Sequence, residues 1–132
     1  IIKTDTLNLE CDNIIDEYIL INSLNDVEYF IKNRCNDSIS KNKFCKNLIN
    51  IYFNSNKESA DQILVLIKEL VKSKSIGKIN LTKGLLLVNN NWKELSIDYN
   101  NSYNKMKILL VIFKNMGITK DIEKIMTKYK II

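Results

Sequence analysis

A chain with no proline and only three glycines in 132 residues has almost nothing from which to build tight turns. Its apolar residues instead gather at i, i+3, i+4 and i+7, the spacing that paints one face of a helix. The chain is therefore expected to be all-α. Short polar connections between successive stripes imply antiparallel neighbours, and such hairpins bury their stripes by stacking into a HEAT-like α-solenoid. At 15.4 kDa, with 45% apolar and 27% charged residues, the chain has the size and composition of one globular domain, residues 1–132. Asn, Lys and Ile are abundant throughout, and this even bias carries no functional signal. Because the chain begins and ends at isoleucine, it reads as a piece of a longer polypeptide.

Cys11, Ile14, Ile15, Tyr18 and Ile21 or Asn22 make the first stripe. Ser23 to Asp26 follows as a capping-box variant, with the serine as N-cap and the acid at N3. Val27, Phe30, Ile31 and Cys35 give a second helix, and Phe44, Cys45, Leu48, Ile49 and Tyr52 a third. After the break at Asn54-Ser55-Asn56, the cleanest stripe is Ala60, Ile63, Leu64, Ile67, Leu70 and Val71. Val65 and Leu66 widen it, which predicts burial on more than one side. Asn80 is placed to cap a fifth helix carrying Leu81, Gly84, Leu85, Val88 and Trp92. Tyr103, Met106, Leu109, Leu110, Phe113 and Met116 mark a sixth, closed by Gly117 as a left-handed C′ residue. Thr119 would cap a seventh, with Ile122, Ile125, Met126 and Tyr129 on its apolar side. The expected architecture is three antiparallel hairpins plus a C-terminal helix.

The chemistry the chain lacks narrows its work. It has no histidine, so the commonest general base and metal ligand are missing at once. Cys11, Cys35 and Cys45 show no C-x-x-C spacing, and free cysteines on apolar stripes behave as small hydrophobes. Reduced, intracellular cysteines are the expected state. Gly77, Gly84 and Gly117 are too dispersed to cradle phosphates. Carboxylates stand beside lysines on polar faces, where ordinary pKa values are expected. No catalytic residue, cofactor, metal or small-molecule substrate is expected, and the chain is read as a binding module and not an enzyme. No apolar run approaches the roughly 20 residues of a membrane span, and Asp5, Glu10 and Asp12 interrupt any signal-peptide pattern.

Two stretches carry a family resemblance. Ile14-Ile15-Asp16-Glu17-Tyr18-Ile19-Leu20-Ile21-Asn22 resembles the opening helix of the MA-3 domain, especially as found in eukaryotic translation initiation factor 4 gamma. Leu81-Thr82-Lys83-Gly84-Leu85, followed by Trp92-Lys93-Glu94-Leu95-Ser96-Ile97-Asp98, resembles the family's later motif, a glycine-containing helix leading to E-L-x-[IL]-D. Leu64 to Ser73 and Ile76 match the long helix between them, so the likeness runs from about residue 10 to 117 in the expected helix order. Departures exist: Ser23 and Asp26-Val27 replace the family's acid and E-A, Asn33-Arg34 replaces its E-L, and Asn100 stands where a proline commonly follows the motif.

The resemblance implies a protein–protein module that grips the DEAD-box RNA helicase initiation factor 4A. It implies that Glu94 and Asp98, the two acids of the motif, contact the helicase. Spacing alone gives a plainer account, with Glu94 a solvated acid and Asp98 an N-cap of the next helix; contact and capping are compatible at Asp98. Trp92 shares the phase of Leu85 and Val88 and is read as core, and Gly84 as a close helix–helix contact. Lys120, Lys124, Lys128 and Lys130 form a basic stripe, best read as a solvated face. Lys41, Lys43 and Lys46 cluster oddly at a helix start, where the dipole disfavours cations. The net charge of +5 admits weak RNA contact through the basic surface. The alternatives to an initiation scaffold are thus a helicase-binding translation repressor, a nuclear RNA-processing protein with the same domain, or a basic RNA-binding module.

Overall fold

The computed structural model describes residues 2–89, 99–118 and 123–124. Among them run six helices and no strand: α1 (Ile2–Ile21), α2 (Leu24–Arg34), α3 (Ser38–Asn54), α4 (Lys57–Lys72), α5 (Lys78–Asn89) and α6 (Tyr99–Asn115). The fold is the all-α helical-repeat fold that the periodicity predicts. Two compact units divide it, residues 1–88 and residues 89–132.

In the first unit α1 packs on α2 and α3, α3 packs on α4, and α4 packs on α2. Odd helices thus stack on odd and even on even, the layering that results when one antiparallel hairpin is laid on another. The core is the set of stripes read from the sequence. Cys11, Ile15, Val27, Ile31, Phe44, Leu48, Ile49, Ile63, Leu66, Ile67 and Leu70 are all at most 2% exposed. Each fully buried Leu, Ile or Phe contributes about 1.5–3 kcal/mol relative to an exposed one.

Local chemistry sets the boundaries. Asp37 caps α3 by accepting the Ser40 N–H at 2.7 Å, and Asn56 caps α4 by accepting the Ser59 N–H at 2.8 Å. α1 ends where Asn22 turns left-handed at φ 61°, its N–H returning to the Tyr18 carbonyl at 2.7 Å. Gln62 of α4 donates to both the Ile19 carbonyl and the Asn22 side chain, satisfying an orphan carbonyl of α1.

Four readings need correction. Ile21 and Asn22 do not extend the first stripe; α1 closes there and both are exposed. Ser23 occupies the N-cap position of α2, but its side chain makes no capping hydrogen bond, so no capping box forms. Asn80 is not the N-cap of α5, which starts two residues earlier. It lies in the first turn, where its Oδ1 accepts the Gly77 N–H at 2.9 Å. That is the reach-back half of a capping box, with a glycine at the cap. Val65 does not widen the buried face of α4: it is 51% exposed, while Leu66 is fully buried.

In the second unit α6 buries Met106, Leu109, Leu110 and Phe113 completely. Gly117, at φ 89°, closes it as expected. The Ile118 N–H bonds to the Phe113 carbonyl and the Gly117 N–H to the Lys114 carbonyl, both at 3.0 Å, a Schellman motif sealed by buried Ile118. Thr119 and the stripe Ile122, Ile125, Met126 and Tyr129 lie outside the described residues; Glu123 and Lys124, between them, are helical and exposed.

Candidate functional site

Glu94 and Asp98, the residues singled out for partner binding, lie outside the described residues, as does Trp92. What is described is how the chain approaches and leaves them. α5, on the approach, is fixed at two points on α3. At its start the Asn80 amide nitrogen donates to Asn42 Oδ1 at 2.8 Å, while the same side chain holds the Gly77 N–H. At its middle Gly84 meets the α3 backbone: a β-carbon built there would stand 2.8 Å from the Cys45 β-carbon and 2.9 Å from the Lys46 nitrogen. Leu81, Leu85 and Val88 bury the same helix. The close contact expected of Gly84 is therefore present. On the far side α6 begins at Tyr99, the residue after Asp98.

Within the first unit the charges are not all ordinary. The Arg34 guanidinium donates through Nε at 3.2 Å and Nη2 at 2.5 Å to the Glu10 carboxylate, tying the end of α2 to α1. This holds Glu10 below the usual carboxylate value and raises Arg34. Asp37 is also lowered, chiefly by the Ser40 backbone hydrogen bond. Asp12 is raised, mainly by burial and then by the Asp16 charge, against the pull of Lys46. The three cysteines are free and buried. Cys11 is raised by its hydrogen bond to Cys35 and by burial, and Cys45 by burial. The same hydrogen bond from Cys11 lowers Cys35. All three side chains pack as small hydrophobes. Among the described residues no group of three His, Cys, Asp or Glu side chains could hold a metal, and no helix is long and apolar enough to cross a membrane.

The lysine cluster at the start of α3 separates in space. Lys46 is near enough to Asp12 to lower it, whereas Lys41 and Lys43 act on Asp37. Lys41 also lines a cleft of about 410 Å³ with Glu28, Ile31, Lys32, Asn36, Ser73, Lys74 and Ser75. The end of α2, the start of α3 and the turn after α4 form its walls. Of its four charged residues only Lys41 stands out in the sequence, while Ile31 is a member of the second stripe. Ser73-Lys74-Ser75 carries a faint signal: a helix ends there with no glycine at its C′ position. The basic stripe near the C-terminus is described only at Lys124, which is exposed.

Comparison with known protein families matches residues 10–119 to the MA3 domain. No curated protein matches the chain. The match covers five-sixths of the 132 residues, takes in all six described helices in whole or in part, and encloses both Glu94 and Asp98. The chain belongs to the MA3 domain family.

Proposed function

We propose that this domain docks on a DEAD-box RNA helicase of the initiation factor 4A kind, as part of a cytoplasmic scaffold for translation initiation. It works by binding, not by catalysis. MA3 domains are helical protein-interaction domains, and the observation that carries the finer reading is the E-L-x-[IL]-D motif at Glu94 and Asp98 inside the matched segment. A pair of acids four residues apart suits basic side chains on a partner through charge-assisted hydrogen bonds. Removing one member of a buried interfacial charge pair costs about 2–5 kcal/mol. Anchoring of α5 on α3 by Asn80 and Gly84 supports the reading, since a rigid approach loses less entropy on docking.

The ATPase rate of purified initiation factor 4A, measured with and without the domain, tests this function. Its kcat or KM is expected to change with the wild-type domain and to stay at the helicase-alone value with Glu94→Ala/Asp98→Ala. An unchanged rate at saturating wild-type domain would remove modulation of the helicase from the account.

A further inference from the structure

The cleft between the α2–α3 connection and the turn after α4 is separate in sequence from Glu94 and Asp98 and has the opposite charge. Three lysines, Lys32, Lys41 and Lys74, line it with one acid, Glu28. None of the three lysines makes an ion pair with a described acid; the ion pair in this region is Arg34 with Glu10. Asp37, whose carboxyl feels the Lys41 charge, is already engaged by the Ser40 N–H.

Lys74 is the telling residue. The turn after α4 is a complete Schellman motif. The Ser75 N–H reaches the Leu70 carbonyl at 3.0 Å and the Lys74 N–H reaches the Val71 carbonyl at 3.1 Å. The C′ position of such a motif strongly favours glycine, yet Lys74 holds it at φ 63°. A lysine in the left-handed region carries a conformational cost that glycine would avoid, and Lys74 is one of the residues lining the cleft. The turn is further braced by Ser73 Oγ, 3.2 Å from the Leu70 carbonyl and 2.8 Å from Ser75 Oγ.

We propose that this cleft is a second docking site, one that takes an acidic peptide segment of a partner protein. Carboxylates on the segment meet Lys32, Lys41 and Lys74. Its backbone N–H groups find acceptors in Glu28, which Ser75 Oγ approaches only at 3.5 Å, and in the Asn36 side chain. Ile31 supplies an apolar floor. The acceptors decide between ligand classes. A phosphodiester backbone has no N–H to offer Glu28, whereas each peptide unit carries one. The lining residues also include no aromatic ring on which a base could stack. The proposal does not rest on helicase binding through Glu94 and Asp98.

The test titrates the isotope-labelled 132-residue chain with an oligoglutamate peptide, following backbone amide shifts by NMR, beside an oligouridylate RNA of equal charge. Saturable shifts centred on Lys32, Asn36, Lys41 and Ser73 to Ser75 are expected. Lys74→Gly should weaken the peptide about fivefold, the upper range for an exposed charge pair, while raising Tm. That combination cannot come from a damaged fold. Glu94→Ala/Asp98→Ala should leave peptide binding unaltered. Shifts spread evenly over other lysines such as Lys68, Lys83 and Lys114, or a Lys74→Gly variant that binds like wild type, would overturn the site. Tighter binding of oligouridylate at the same amides would overturn the peptide and make the cleft a nucleic-acid contact.

Discussion

Gly84 and Cys45 are in direct apposition: the space a Gly84 β-carbon would need lies 2.8 Å from the Cys45 β-carbon and 2.9 Å from the Cys45 carbonyl carbon. Two of the three nearest atoms are backbone, so no flexible side chain can give way. Gly84→Ala would gain about 1 kcal/mol of helix propensity but force α5 away from α3, and overpacking of this sort costs about 1–3 kcal/mol. The net expectation is a fall in Tm. A rise in Tm on thermal denaturation would show that α5 does not sit as closely on α3 as described.

Lys74 and Asn22 are the two described non-glycine residues with positive φ, at 63° and 61°. Relief of that strain should make Lys74→Gly more stable by about 1 kcal/mol. Asn22→Gly should gain less or lose, because Asn tolerates this conformation and its side chain accepts from Gln62 at 3.1 Å. Chemical denaturation of both variants separates the two cases, with the order Lys74→Gly above Asn22→Gly expected.

The caps differ in what they do. Asn56→Ala removes the acceptor for the Ser59 N–H and should cost about 1 kcal/mol. Ser23→Ala, which removes no hydrogen bond, should leave the denaturation midpoint within experimental error. Equal losses at both positions would contradict the assignment of capping roles.

Among the described carboxyls, acidification should act mainly through Glu10 and Asp37. Both carboxyls are lowered in the folded chain, Glu10 by Arg34 and Asp37 by the Ser40 N–H. A lowered pKa stabilises the fold above the unfolded value, and that stabilisation is lost as pH falls through the folded value. Asp12, raised chiefly by burial, works the other way: its contribution is present below its unfolded pKa and lost as pH rises through the folded one. Glu10→Gln/Asp37→Asn should therefore flatten the fall of Tm on acidification, and Asp12→Asn should steepen it. Thermal melts across the carboxylate range check both signs.

The helix order and most of the core were legible because burial in a stacked hairpin imposes one apolar stripe per helix. Phe44, Cys45, Leu48, Ile49 and Tyr52 are all buried on the face their spacing predicts. Gly117 was legible because few other residues close a helix at φ 89° so cheaply. Capping details were not, since composition shows which residue could cap and not whether its side chain turns inward. Ser23 fails to and Asn80 acts from the first turn. Val65 misled because its apolar character says nothing of which way α4 faces beyond its stripe. The basic cleft was only hinted at by Lys41. Its other residues come from segments far apart in sequence, and only the stacking of α2, α3 and α4 brings them together. Glu94 and Asp98 were read from a motif, which names residues without placing them.

Glu94 and Asp98 are proposed to anchor a helicase partner. Calorimetric titration of the domain with initiation factor 4A from the same organism tests this most directly, beside Glu94→Ala/Asp98→Ala of confirmed helicity. Wild type is expected to bind with a dissociation constant on the order of micromolar or tighter, and the double variant not to bind. Binding that survives the substitution would keep the partner and remove the anchor; no heat with the wild-type domain would contradict the claim itself.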